Sequence, residues 1–460
     1  MTEEYRLAGS FRDPNGFIFS SQGIVYRQIN REYQAAYEQL MNSGLYQKLV
    51  DEKRLISHEE VGLEQAMTEV AYQVIKPQQL SFISYPYEWC FSQLKSAALL
   101  TLEIQQAAID YGMSLKDASA YNIQFKAGQP LFIDTLSFEP YQEGQPWVAY
   151  RQFCQHFLAP LALIVYTDIR LQQLLRVYID GLPLDLVTKL LPVKSWANFS
   201  LLSHIHLHAK FQKRYTDKAV SNQQRQMSKI GLLGLLDNLK SAIQKFTWQP
   251  TGTEWHNYYE ISNYSDQALE HKKQIITNML EQITPPPKTV WDLGANLGLF
   301  SRIASDQGLP TIAFDIDPAA VEKNYLTSVA QSEKNILPLV LDLTNPSPGL
   351  GWANKERDSI FQRRSADVVF ALALIHHLVI SNNVPFSMVA EFFSRLTSAL
   401  IIEFVPKHDS QVQKLLLNRV DIFSDYHWQG FETAFKAHFK ILTKTPIPNT
   451  DRILYLMEKR

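Results

Sequence analysis

The chain has 460 residues, 46% hydrophobic and 20% charged, enough to bury two or three separate cores. Its 44 Lys and Arg against 46 Asp and Glu leave a net charge of −2, so no global field recruits nucleic acid or anionic lipid. Two cysteines, Cys90 and Cys154, make a disulfide framework or a cysteine-rich zinc site an unsuitable reading.

The N-terminus, MTEEYRLAGSFRD, is polar and lacks the apolar stretch of a signal peptide. Strands are expected near residues 17–20 and 23–27, followed by a helix from Glu32. Residues 115–138 read LKDASAYNIQFKAGQPLFIDTLSF. Asp117 and Asn122 stand five positions apart, and the apolar strand 131–133 leads into Asp134 beyond a turn at Gly128. This stretch resembles the protein-kinase-like and aminoglycoside-phosphotransferase-like folds. There a catalytic-loop Asp orients the hydroxyl, and an Asn with a second Asp holds magnesium on ATP. The resemblance implies an α+β kinase-like domain over 1–247, with Asn122 and Asp134 as metal ligands if the site is active. The departures point to a degenerate domain. Leu115-Lys116 replaces the His-Arg of the loop, Thr135 replaces the glycine after the second Asp, and neither a glycine-rich phosphate loop nor a Val-Ala-Ile-Lys-like strand is visible. The bland alternative is a hairpin whose Asp and Asn cap turns.

Further along, the apolar run 157–166 contains Pro160 and is too short to cross a bilayer, so a soluble cytoplasmic protein is expected. His204, His206 and His208 have no carboxylate beside them to complete a metal set and read as structural or solvent-facing. The basic stretch 210–229 reads as a solvated helix face, and Gly231-Leu-Leu-Gly234 as a break between two helices. Residues 248–288 form a linker and a leading helix, with the helix spanning 266–283 and three prolines, 285–287, closing it. The aromatic stretch 255–264, with Tyr258, Tyr259 and Tyr264, is a candidate lid or an interdomain packing surface.

Residues 289–317, TVWDLGANLGLFSRIASDQGLPTIAFDID, carry the most specific signal. A buried strand ends in Asp292. Gly294 and Gly298 let the backbone turn sharply, and Asn296 between them tolerates a left-handed conformation. A helix over 299–306 is expected to turn its free amides toward a ligand. A second strand then delivers Asp315 at the offset expected of a ribose acceptor. Leu299 stands where a dinucleotide fingerprint needs a third small residue, and an acid at the turn suits an ammonium better than a pyrophosphate. The stretch therefore resembles the class I S-adenosylmethionine (SAM)-dependent methyltransferases, with Asp292, Gly294, Asn296 and Gly298 as the first motif. The resemblance assigns Asp315 to the ribose and Asp342 to the adenine, and makes 366–372 the fourth strand. It implies a doubly wound α/β sheet of seven strands over 289–460, ending in an antiparallel hairpin near 439–443 and 452–457.

On the acceptor side, His376 and His377 follow the fourth strand, and Glu403 ends the fifth. All three are candidate general bases for methyl transfer to oxygen or nitrogen. The acceptor is expected to be a small molecule or glycan rather than nucleic acid. Alternatives are a bifunctional kinase-methyltransferase, which would add ATP and magnesium, and a non-catalytic SAM-binding scaffold.

Overall fold

The computed structural model describes residues 5–208, 210, 226–250, 265–417 and 419–460. The candidate lid at 255–264 lies outside the described residues, as does most of the basic stretch 210–229. The chain divides into two compact units. One is Met1–Gln249 with Gly349–Arg357, the other Pro250–Pro348 with Asp358–Arg460. The first unit therefore includes a short segment that the chain reaches only after most of the second unit's parallel strands. No helix among the described residues is long and apolar enough to cross a membrane.

The first unit opens with a five-stranded antiparallel sheet. Its strands are β1 (Tyr5–Arg6), β2 (Gly16–Ser21), β3 (Ile24–Asn30), β4 (His58–Val61) and β5 (Ala71–Pro77), in the order β1-β2-β3-β5-β4. Gln22 and Gly23 both have positive φ and close the tight β2–β3 hairpin. Helix α1 (Gln34–Asn42) lies between β3 and β4 in sequence and packs Tyr37 against Ile29, Ile75 and Leu136. This small antiparallel sheet is followed by a mainly helical lobe.

The helical lobe is built around α2 (Phe91–Asp110), which buries Leu94, Ala98, Leu102 and Ile109. Two short ladders follow, β6 (Met113–Leu115) with β9 (Phe138–Pro140), and β7 (Ile123–Lys126) with β8 (Gln129–Phe132). The apolar run ends in α3 (Ala159–Tyr166), buried from Ala159 to Ile164. His204 bonds Tyr150 and Asn238, and His206 stacks on Trp196 at 4.2 Å, so both are structural. The expected break at Gly231–Gly234 does not occur. One helix, α4 (Lys229–Lys245), runs through both glycines. Two helical glycines cost roughly 1 kcal/mol each. The buried stripe of Leu232, Leu236, Leu239 and Ile243 outweighs that cost.

The second unit begins with α5 (Asp266–Glu281), whose Ile276, Met279 and Leu280 lie in one cluster with Val290, Phe370, Ile401 and Leu454. Its sheet comprises β10 (Val290–Leu293), β11 (Thr311–Asp315), β12 (Ile336–Val340), β13 (Ala366–Ala371), β14 (Thr397–Phe404), β15 (Phe439–Pro446) and β16 (Ile453–Lys459). The order is β12-β11-β10-β13-β14-β16-β15, with the first five parallel and β16 antiparallel to both neighbours. The central strands are buried on both faces, as a doubly wound sheet requires. The order reverses between β10 and β13, and in such sheets the crevice at the carboxyl ends of the strands beside that switch point receives ligands.

Helix α6 (Ser301–Ser305) is shorter than the 299–306 expected and starts later. Gly298, Leu299 and Phe300 are spent on the turn, so free helical amides are not what faces the crevice.

Candidate functional site

Three acids mark the carboxyl ends of adjacent strands. Asp292 is the third residue of β10, Asp315 closes β11, and Asp342 lies just beyond β12. The turn after β10 fixes their spacing. The amides of Gly294 and Ala295 both donate to the Phe314 carbonyl at 2.9 Å. That bend needs φ values of +82° at Gly294, +50° at Asn296 and +76° at Gly298. At Gly298 a Cβ would also lie 2.5 Å from the Asn324 amide and 2.7 Å from the Arg302 guanidinium, so both φ and space select glycine.

Asp315 is held by the backbone. Its Oδ2 accepts from the Asn296 amide at 2.7 Å and its Oδ1 from the Asp317 amide at 2.9 Å. Burial lifts its pKa to about 6, against the pull of those two amides. Asp292 accepts from the Ser301 hydroxyl at 2.6 Å, and burial lifts it further, to about 7, with Ser301 and Lys272 opposing. Asp342 accepts from the amide and hydroxyl of Thr344, at 2.8 and 2.7 Å.

These acids line one cavity of about 330 Å³, together with Gly294, Ala295, Asn296, Leu341, Leu343, Leu372, Leu374, His377 and Leu415. The polar groups sit at the strand ends and the leucines make most of the remaining wall. Size and composition suit an adenosine joined to a small zwitterion. SAM fits the residues present. Asp315 has its carboxylate pre-oriented for a vicinal diol, and Asp292 offers a buried anion to an ammonium. The glycine turn leaves room for close backbone approach.

The catalytic candidates separate. His377 lines the cavity, whereas His376, 1% exposed, does not. Its Nδ1 is buried and meets no hydrogen-bond partner, and its ring lies 4.2 Å from that of His377. Burial pushes His376 well below the ordinary histidine range and His377 down to about 4. Both are therefore neutral at physiological pH. Glu403, a rim base by its sequence position, is instead a buried counter-ion outside the cavity lining. Its Oε2 accepts from Lys272 Nζ at 2.6 Å and from the Ala373 amide at 2.9 Å, and its Oε1 from Arg452 at 3.2 Å. Arg452 also binds Asp409 at 2.8 Å. With both oxygens committed, Glu403 is not placed to take a proton from an acceptor.

In the first unit, Asp117, Asn122 and Asp134 do converge. The Asn122 amide donates to Ser137 Oγ at 3.2 Å, and Ser137 Oγ donates to Asp134 Oδ2 at 2.6 Å. Burial, then the charge of Asp134, raises the Asp117 pKa, and hydrogen bonds from Asn122 and Gln152 are among the groups opposing the rise. The sequence reading found no cationic third-strand residue, yet β3 supplies one. Arg27 follows Ile24-Val25-Tyr26 and its Nη1 meets Asp134 Oδ1 at 2.5 Å.

Magnesium and ATP fit this cluster poorly. Asp134 Oδ1 serves Arg27 and the Leu136 amide, and Oδ2 accepts from Ser137, so a metal on Asp134 would compete with the Arg27 guanidinium. Among the described residues no group of three or more His, Cys, Asp or Glu is placed to hold a metal ion. The loop between β1 and β2, where a phosphate-covering loop would lie, binds residues 349–357 instead. Arg12 Nε donates to Glu356 at 2.5 Å, Gly9 has no room for a Cβ beside the Glu356 carbonyl, and Arg357 stacks over Tyr121 at 4.3 Å.

No family model matches the chain. It is 38% identical over 463 residues to the nodulation protein NoeA of Rhizobium meliloti (strain 1021), covering 99% of this chain and 96% of that one. The chain belongs to the NoeA family. Among solved structures, magnesium protoporphyrin IX methyltransferase (ChlM) from Synechocystis PCC 6803 matches with TM-score 0.32 and 15% identity, over 45% of this chain and 92% of that one. The bifunctional kinase-methyltransferase WbdD matches with TM-score 0.31 and 15% identity, over 47% of this chain and 45% of WbdD. Scores this low add nothing to what the strand order and the cavity already say of the fold.

The cations that pair with the candidate acids, Lys272 and Arg452 at Glu403 and Arg27 at Asp134, were not anticipated from the sequence. The signal for Lys272 was a lysine on the apolar stripe of the 266–283 helix, between Leu269 and Ile276. No comparable local signal marked the other two.

Proposed function

We propose that the second unit binds SAM and transfers its methyl group to an oxygen or nitrogen of a small-molecule or glycan acceptor. The observation that carries this reading is the convergence of Asp292, Asp315 and Asp342 on one leucine-walled cavity at the switch point of a seven-stranded sheet. The Asp315 carboxylate, fixed by two amides, accepts from the ribose hydroxyls. Asp342 and the wall around Leu341 and Leu343 border the adenine. Asp292 takes the ammonium. SAM supplies an already activated methyl group, so the residues around it must align the acceptor and exclude water.

Among the described residues, His377 is the one titratable group lining the cavity beyond the acids and Lys272. Neutral above about pH 4, its imidazole carries one acceptor nitrogen, to which an acceptor hydroxyl or amine would donate. That depressed pKa makes it a weak base, so it orients more than it deprotonates. We assign residues 1–247 to a kinase-like accessory domain that shapes or recruits the acceptor. The bifunctional reading is disfavoured by the occupied Asp134. Two buried cysteines outside any disulfide, Cys90 and Cys154, suit a cytoplasmic protein.

Titration calorimetry of the full chain with SAM tests the cofactor. Failure to bind while the fold is intact removes the proposal. Labelled SAM incubated with metabolite extracts then separates an enzyme, which transfers label, from a scaffold, which binds SAM without turnover.

A further inference from the structure

Lys272 is 1% exposed, yet it lies on the wall of the same cavity as Asp292. Its ammonium donates to Glu403 at 2.6 Å and stands 4.3 Å from the centre of the Phe300 ring. Desolvating an ammonium is costly unless close charges and dipoles replace the lost water. Glu403 accounts for part of that replacement, but Glu403 also has Arg452 and the Ala373 amide. Arg452 in turn is shared with Asp409, so the two arginine–carboxylate contacts form a chain that closes without the lysine. Lys272 is the end of that chain that faces the cavity. Among the described residues, no other lysine and no arginine lines it.

The ligand proposed for this cavity ends in an amino acid, with one ammonium and one carboxylate. Asp292 provides for the first. We propose that Lys272 Nζ receives the carboxylate of the cofactor's methionine end, so that the zwitterion is read by an opposed Lys272–Asp292 pair. This rests on the SAM reading of the cavity. Phe300 helps to hold the ammonium in place by covering one side of it. Burial lowers the Lys272 pKa, and the contact with Glu403 opposes that fall.

The test compares S-adenosylhomocysteine with 5′-methylthioadenosine, which keeps the adenosine and sulfur but has no amino-acid group. Both are titrated into the full chain by calorimetry. Lys272→Met is expected to weaken S-adenosylhomocysteine by 10- to 100-fold and methylthioadenosine by less than about twofold, the scale of one charge-assisted contact. Equal losses on both ligands, or none on either, would overturn the assignment. Lys272→Met leaves a buried carboxylate short of a partner, so the double variant Lys272→Met/Glu403→Gln is measured alongside it. Removing both charges together is far better tolerated than removing one. It should show the same selective loss. A third arm needs no substitution, because decarboxylated SAM retains the ammonium. It should bind the wild type at least 10-fold more weakly than SAM, and equal binding refutes the carboxylate contact. If the wild type binds none of these nucleosides, the SAM reading fails and this inference with it.

Discussion

Replacing Asp292 by Asn should move stability and cofactor affinity in opposite directions. The wild-type carboxyl is buried, and its pKa rises from the ordinary 3.8 to about 7. Because the folded value lies above the unfolded one, the folded chain keeps a proton that the unfolded chain has lost between about pH 4 and 7. Stability from this group therefore falls across that window and stays low above it. About three pH units at ~1.4 kcal/mol each make the cost of the charged form roughly 4 kcal/mol above neutrality. Asn carries no such charge and still accepts from Ser301. Denaturant unfolding of the full chain should find the variant more stable than wild type at pH 8, by up to roughly 4 kcal/mol, with less than half of that gain left at pH 5. SAM affinity should change the other way. Its ammonium selects the ionised carboxylate, so wild-type affinity should drop about fivefold as pH falls from 7 to 6. The variant should bind more weakly, with a flat profile. The reasoning is refuted if wild-type affinity is level from pH 5.5 to 7.5, or if the stability difference does not depend on pH.

Asp315→Ala removes an acceptor common to every adenosine ligand. SAM and methylthioadenosine should weaken together, by roughly 1.5–3 kcal/mol in calorimetry, and sparing of either would unseat the ribose assignment. His377→Gln should lower turnover without moving any limb of the pH–rate profile above about pH 5, since His377 titrates near 4. A wild-type limb near neutrality that vanishes in the variant would restore it as general base. In the first unit, electron paramagnetic resonance should detect no manganese bound with ATP at Asp134 in the wild type. Arg27→Gln should admit it, and manganese bound in the wild type but lost in Asp134→Asn would overturn the occupied-site account.

The turn and the strand-end acids that line the cavity were legible because their determinants are local. An acid, two glycines and an asparagine within seven residues dictate a turn, and a strand of fixed length carries the next acid to the same edge. The catalytic half was not. His376 and His377 are neighbours in sequence, but only the backbone path after β13 decides that one enters the cavity and the other is sealed behind it. Glu403 looked like a rim acid because its partners are far away in sequence, with Lys272 lying 131 positions earlier. Helix lengths were misread where packing overrode propensity, as at Gly231 and Gly234, and where a turn consumed residues, as before Ser301. Arg27 was passed over because the expected strand carries lysine, although its apolar run Ile24-Val25-Tyr26 was in plain view.

Residues 349–357 give the chain an unusual genetic indivisibility. They are encoded between two strands of the second unit but belong to the first, where Glu356 neutralises Arg12 and Arg357 covers Tyr121. No single breakpoint in the gene therefore yields two complete parts. A fragment stopping near residue 250 would leave Arg12 without that partner and open a face around Gly9. The complementary fragment would carry an arginine and a glutamate shaped for a surface it no longer has. Recombination that exchanged one half for a relative's would have to bring matching residues at both places.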